Sequence, residues 1–470
     1  MAEGSSVTRR HASWHCLPLE LRAMIFKEIA CAREEHPGWC AYAAVSREWQ
    51  HHIEAATFRM LRLDEQHMNT LRTTIQRRPE RQKLVRHIWL DIELPTYTCR
   101  CCDRDESSWS IVKNRGSVAD AITALFKVLA EWDEQKDLTL EINAYSPSDS
   151  NHYFGEWLYR SGIDDTEEEL SRQAQQAHDR MVDSKTHRAA NPQTRYLPPA
   201  SVQRAFRSVS PFFRAKLPQV VAITGVIIRR QFRRFLCTES LQQILKRLPR
   251  LEHVTYEPWR PVDMHSPQVD WEKFATLAFP KSVEKVTVFQ DFNDKLQNHG
   301  RPFNPPIVVR PPISPGIGKE FAIRSMCLKE ISLSYMVNAE DFFQAGCKFR
   351  TLLWPNLESL ALTSKCLTQE GSHKDIDSLL YNAGVAALRM PRLHTLVLWN
   401  GNERNACAFI YRKTGMSTDI TWRSTWGFKL NPLVVEAWEE VAFKLHVSTL
   451  RINKDSIKKD EIRNHGDASK

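Results

Sequence analysis

Eight times along this 470-residue chain an apolar residue is followed by others three and five positions later. The sets are Val85/Ile88/Leu90, Leu217/Val220/Ala222, Leu251/Val254/Tyr256, Val283/Val286/Val288, Leu328/Ile331/Leu333, Leu357/Leu360/Leu362, Leu393/Leu396/Leu398 and Val447/Leu450/Ile452. From Leu217 to Leu393 their starting positions step by 34, 32, 45, 29 and 36 residues, the spacing of a repeat array with uneven loops. Pro249, Pro280, Pro355 and Pro391 stand just ahead of four sets, where each stops a preceding helix. Helices are predicted at 241–248, 271–279, 376–388 and 432–445, the last capped by Asn431. Upstream, strands are predicted at 58–63, 85–94 and 138–142, with helices at 68–77 and 117–132, the latter capped by Ser117. Strand and helix alternate, so the predicted class is mixed α/β.

The repeating unit resembles a leucine-rich repeat, which implies that the last two apolar positions of each set point inward from a strand and that stacked strands share one core. The fit is irregular. At the ninth position, where such repeats often carry asparagine or cysteine, this chain has Trp259, Asp291, Met336, Lys365 and Gly401, so no internal asparagine ladder is expected. Residues 301–316 hold six prolines and predict a long surface loop. Residues 161–199 are acidic, then polar, and predict a charged helix or flexible insertion. The expected layout is a disordered segment over 1–12, a helical module over 13–58, the array over 59–455 and a polar, frayed tail over 456–470.

The module reads as follows. Pro18 suits the first position of a helix, where its missing N–H is no loss. Leu21, Ile25 and Ile29 then make one apolar stripe, with Arg22, Lys27 and Glu28 on other faces. Pro37-Gly38 signals a turn, and 39–53 predicts one helix or two short ones with Tyr42, Val45, Trp49 and Ile53 on an apolar face. So short a segment buries too little to be stable alone, and Leu17, Pro18 and Phe26 are the apolar residues expected to stay exposed. The run Leu17-Pro18-Leu19-Glu20-Leu21, then Ile25-Phe26 and Ile29, then Val45-Ser46-Arg47-Glu48-Trp49 resembles an F-box, which implies docking onto a Skp-type adaptor of a cullin-RING ubiquitin ligase. The resemblance implies adaptor contacts among Leu17, Pro18, Leu21, Ile25, Phe26, Val45 and Trp49. The alternative is that 14–58 is the first hairpin of a larger domain, with Leu17, Phe26 and Trp49 as ordinary core residues. An F-box followed by degenerate repeats resembles the fungal F-box proteins.

Chemistry-bearing motifs are sparse. Cys99-Arg100-Cys101-Cys102 contains a C-x-x-C spacing with no second half at zinc-finger distance, so surface thiols are expected and no metal. His51-His52 and His11/His15 form no ligand pattern. Arg229-Arg230-Gln231-Phe232-Arg233-Arg234-Phe235 interleaves cations with aromatics, the composition of a nucleic-acid surface, against the simpler expectation of a solvated edge. Gly316-Ile317-Gly318-Lys319-Glu320 lacks the spacing and the hydroxyl of a phosphate loop. No catalytic residue and no cofactor are therefore expected.

A net charge of +9 permits acidic partners without selecting one, and 42% hydrophobic residues suffice for a large core. No run reaches the length of a membrane span, and the first residues lack a signal-peptide core, which points to the cytosol or nucleus. Eleven scattered cysteines fit reduced thiols. The expectation is a non-enzymatic substrate receptor that reaches a cullin scaffold through its adaptor and captures a protein target with its array. Pro305, Pro306, Trp399 and Trp422 are the candidate target-binding residues. Trp426 is expected to pack under the helix that begins near Asn431. The competing expectations are a repeat-based scaffold without ubiquitin transfer and, more weakly, a nucleic-acid-binding protein using Arg229–Arg234.

Overall fold

A computed structural model describes residues 14–32, 38–152, 199–260, 269–277, 279–292, 315–348, 353–402, 404–415, 417–446 and 449–462. Twelve strands form a single sheet: β1 (Met60–Leu63), β2 (His87–Glu93), β3 (Thr139–Tyr145), β4 (Gly225–Ile228), β5 (His253–Tyr256), β6 (Lys285–Phe289), β7 (Glu330–Ser334), β8 (Ser359–Thr363), β9 (Thr395–Asn402), β10 (Asn405–Thr414), β11 (Ser417–Ser424) and β12 (Thr449–Ser456). Their order in the sheet is their order in the chain. Neighbours pair in parallel, except that β10 runs antiparallel to both β9 and β11.

The register explains the repeated triplet. Leu61, Ile88, Leu140, Val226, Val254, Val286, Ile331, Leu360, Leu396, Tyr411, Ile420 and Ile452 are successive partners, so one apolar row crosses all twelve strands. From Ile88 to Ile420 every member is buried. Because a parallel crossover is right-handed, a strand order that never reverses puts each crossover helix on the same side of the sheet. The helices Ser108–Leu129, Thr238–Leu245, Trp271–Ala275, Pro315–Arg324, Ala339–Lys348, His373–Ala387 and Pro432–Lys444 occupy these crossovers. They close the main core over the apolar row, with Trp354 and Trp438 fully buried and their indoles donating to Ser325 Oγ and to the Leu380 carbonyl. The other side of the strands carries the alternate residues, seen in the buried-every-second pattern of β6, β7, β8 and β11.

Several sequence expectations need correction. Leu217, Val220 and Ala222 are buried but form no strand; Pro218 lacks a ladder donor, and β4 starts only at Gly225. The helix expected from Ser117 begins at Ser108, capped by Ser107, because its first turns expose Trp109 and Val112 and show no inward stripe. The stretch 400–426 forms an antiparallel meander, hidden in the sequence because β10 buries consecutive residues from Ala406 to Phe409 and so shows no alternation. β12 forms at the last triplet, yet Ile452 is 43% exposed, because β12 is the outermost of the described strands in the sheet. The tail is not wholly frayed: Ile457 and Ile462 are buried, and the Ile462 carbonyl accepts from Arg404 N–H at 3.2 Å. The insertion at 161–198 and the segments 1–13, 301–314 and 463–470 lie outside the described residues.

Gly318, part of the phosphate-loop lookalike, has a packing role. A Cβ there would stand 2.7 Å from Asp341 Cβ and 3.0 Å from the backbone of the neighbouring helix. Gly318→Ala is therefore expected to push helices Pro315–Arg324 and Ala339–Lys348 apart and to destabilise the fold by about 1–3 kcal/mol, read as a lowered midpoint in chemical denaturation. An unchanged midpoint would show that the helices do not meet through this glycine.

Candidate functional site

At the N-terminal end, α1 (Leu19–Cys31) follows Pro18, whose carbonyl accepts from Arg22 N–H at 3.1 Å, so Pro18 is the capping residue and Leu19 the first helical one. A 3-10 turn (Trp39–Ala44) leads to α2 (Arg47–Phe58), capped by Ser46 Oγ, which accepts from Trp49 N–H at 3.3 Å. Three aromatic rings hold these pieces together. Trp14 meets Phe26 at 5.4 Å and Trp49 at 5.2 Å between centroids, Phe26 meets Trp49 edge-on at 5.1 Å, and His52 stacks on Phe26 at 4.1 Å. The Trp14 indole donates to Glu48 at 3.0 Å, and Arg22 donates to both oxygens of the same carboxylate.

This packing redistributes the residues singled out in the sequence. Phe26, expected to stay exposed, is 4% exposed because it is the hub of the aromatic contacts. Leu17, Ile25 and Trp49 are half-buried, and Pro18 is exposed. Leu21 and Val45 face solvent together with Leu19, Met24 and Tyr42; Leu19, Met24 and Val45 are 68%, 61% and 62% exposed. The stripe Leu21/Ile25/Ile29 is thus open at its N-terminal end. Leu19 and Met24 carried no periodic signal that would have marked them. The module is fastened to the sheet by Phe58, which packs against the main core, and by Arg81, which donates to Glu54 at 2.6 Å and lies over the Phe58 ring.

On the side of the sheet opposite the crossover helices Phe289, Phe292, Tyr335 and Trp399 gather into a second, smaller cluster. Tyr335 packs edge-on against all three rings at 5.0–5.6 Å. Its backbone sits at φ 66°, a region that a bulky residue occupies only under constraint. Its N–H donates to Thr363 Oγ1 at 2.7 Å and its hydroxyl to the Gly401 carbonyl at 3.2 Å. Beyond this cluster, at the carboxyl ends of β6–β9, opens a cavity of about 480 Å³ lined by residues that include Gln290, Phe292, Tyr335, Asn338, Thr363 and Asn400. Over the strands themselves runs an open groove of about 780 Å³, flanked by Arg412, Asp419, Arg423 and Asp455. Nothing in the spacing of these residues signalled their convergence, which the parallel register produces.

Of the target-binding candidates, Trp399 is buried in the aromatic cluster and Trp422 on the helix side of β11, its indole donating to Ser424 Oγ at 2.9 Å and its ring stacked on Phe428 at 4.4 Å. Both belong to strands, and Trp399 also lines the open groove over the sheet. Trp426 is half-buried against the main core, edge-on to Trp422 at 6.4 Å. Pro305 and Pro306 lie outside the described residues. The arginine-aromatic run is neither a stacking platform nor a solvated edge. Arg229 Nε lies 3.2 Å from Glu141, close enough to pair though not aligned for a hydrogen bond. Arg230 pairs with Glu257 and Asp291, Arg234 is buried against Glu106 at 2.8 Å, and Phe232 and Phe235 are in the core. The thiols differ among themselves: Cys99 is exposed, Cys101 half-buried, and Cys102 buried with its Sγ donating to the Cys99 carbonyl. Among the described residues no group of three or more His, Cys, Asp or Glu side chains is placed to hold a metal ion. No helix among them is long and apolar enough to cross a membrane.

The profile of DUF6546, a family of unknown function, matches residues 278–470. No curated protein matches the chain. The similarity to this family covers β6 to β12, and with them the aromatic cluster and most of the cavity lining, and it stops short of the N-terminal module.

Acid should loosen the module before the sheet. Burial, and then the neighbouring His51, lower the His52 pKa below its ordinary 6.5, so the unfolded chain takes up this proton more readily and stability falls as the pH drops through that value. The Trp14 indole N–H, aided by Arg22, holds Glu48 below its ordinary 4.5, a contribution present above that value and lost as pH falls through the depressed one. Both act in the same direction. The indole NMR signals of Trp14 and Trp49, followed downward from neutral pH, are expected to reach disordered positions while the signal of buried Trp438 stays native. A simultaneous transition of all three would contradict the separate behaviour of the module.

Proposed function

We propose that this protein is the substrate-recognition subunit of a Skp-cullin-F-box type ubiquitin ligase. The module at residues 14–58 takes the adaptor, and the long sheet, as a leucine-rich-repeat-like solenoid, takes a protein target. The observation that carries this reading is the exposure of Leu19, Leu21, Met24, Tyr42 and Val45 on a module whose own core is already closed by Trp14, Phe26 and Trp49. Apolar side chains gathered on so small a unit, and not needed to hold it together, suit a partner's groove. Support for the solenoid comes from the strand order, which follows the sequence without reversal, and from helices that fill the crossovers. The mechanism is proximity: the Glu54–Arg81 pair and Phe58 fix the module against the sheet, so a target held on the sheet stays at a set distance from the ligase scaffold.

The variant Leu21→Glu with Val45→Glu tests this. Both residues are exposed, so the fold is expected to persist by circular dichroism. Binding to a purified Skp-type adaptor is expected to weaken by about thirtyfold or more, as for central interface residues. Unchanged affinity would remove the proposed role of this surface, and adaptor binding by neither form would favour a repeat-based scaffold that works without ubiquitin transfer.

A further inference from the structure

The two ends of the sheet are finished differently. β1 follows directly on the second helix of the N-terminal module, and its row member Leu61 packs against the main core. At the other end β12 is the outermost described strand, and every residue in it except the half-buried Leu450 is exposed. A strand in this position presents N–H and C=O groups that can template another strand. The Ile457 N–H, just past β12, donates to the Ser424 carbonyl at 2.9 Å, and along a parallel ladder successive residues alternate in the side to which they present these groups. Leu450, Ile452, Lys454 and Ser456 therefore present theirs outward.

The side chains of this edge select the partner. Arg451, Asn453 and Asp455 share the side of the strand on which Asn453 and Asp455 line the groove. Arg412, Asp419 and Arg451 are successive partners in the register, as are Arg423 and Asp455, which pair at 3.2 Å. When β12 meets β12 of a second copy antiparallel and centred on Asn453, Leu450 stands opposite Ser456, Arg451 opposite Asp455 and Ile452 opposite Lys454. One row of charge then alternates through the junction, from Arg412, Asp419 and Arg451 to the second copy's Asp455 and Arg423, and the twofold axis repeats it. Arg451 and Asp455 fall at the non-hydrogen-bonded positions, where opposed side chains come closest. A lysine ordinarily guards an edge strand, but here the Lys454 methylenes lie against Ile452, which is 43% exposed in the single chain. Centring the pair on Ile452 instead sets Arg451 opposite Asn453 and loses both ion pairs. Parallel pairing in register opposes Arg451 to Arg451 and Asp455 to Asp455, and a segment of single-sign charge meets a like charge at one of the two positions.

We propose that β12 is the docking edge for a second copy of this chain, the two strands pairing antiparallel about Asn453 so that two sheets join into one. The axis runs perpendicular to the sheet, so both groove sides face the same way, and the second copy's Arg451, Asn453 and Asp455 lengthen the groove. Neither adaptor binding nor target capture enters this inference. Sedimentation velocity on the purified full chain is expected to show a reversible dimer that weakens as salt rises. Arg451→Glu and Asp455→Arg each oppose like charges twice, and each alone is expected to raise the dissociation constant about tenfold or more. Mixed in equal amounts, the two variants restore opposite charges at both positions, and their heterodimer is expected within about threefold of the wild-type strength. Circular dichroism checks that these exposed substitutions leave the fold intact. Should a reversal fail to fold, Asn453→Cys reads the same register: with oxidised glutathione it is expected to give a reducible covalent dimer, and Lys454→Cys none beyond the wild-type level. A wild-type chain that stays monomeric would overturn the proposal and leave the edge to a strand of another protein. Single variants that dimerise as the wild type does, a mixture that fails to recover, or equal cross-linking of the two cysteine variants would overturn it as well.

Discussion

Everything in this molecule hangs on one apolar row that passes through twelve strands in chain order, from Leu61 to Ile452. Its members from Ile88 to Ile420 are all buried, and burial of a side chain of this size is worth roughly 1.5–3 kcal/mol. The row fixes the register, since a slip of one residue would turn every strand's apolar set to the wrong side. Fixed register and right-handed crossovers put the crossover helices on one side, and the aromatic cluster and the groove lie on the other.

The meander β9–β11 is the one departure from that scheme among the described strands. β10 reverses direction and buries residues on both sides, Cys407 and Phe409 toward the helices and Ala406 and Ala408 toward the aromatic cluster. It thereby widens the sheet without a crossover helix and lines the middle of the groove with Ala408, Ile410 and Arg412. The similarity to DUF6546 takes in this meander and the four strands around the cavity, so the part of the chain shared with that family is the part proposed to hold the target. The N-terminal module, outside that similarity, is a separate device with its own aromatic core.

The sequence made the strands legible where a triplet coincided with a helix-covered strand: Leu251, Val283, Leu328, Leu357 and Leu393 each open a set that ends inside β5 to β9. It misled where local chemistry overrode the pattern, as at Pro218, or where both sides of a strand are buried, as in β10. In the module the residue types were readable but their directions were not. Phe26 and Leu21 sit five residues apart on one helix, and only the packing of Trp14 and Trp49 decides that Phe26 turns inward while Leu21 stays out. Gln290 and Tyr335 were invisible because their meeting depends on the pairing of β6 with β7, and a lone glutamine after a strand carries no signal of its own.

The proposal that the module at 14–58 joins the sheet to a ubiquitin ligase is tested most directly by affinity purification from cells that express the chain, followed by mass spectrometry. The full chain is expected to bring down a Skp-type adaptor and a cullin, and a chain lacking residues 14–58 to lose both while keeping other co-purifying proteins. Absence of adaptor and cullin from both samples, or their equal recovery with the shortened chain, would contradict the claim.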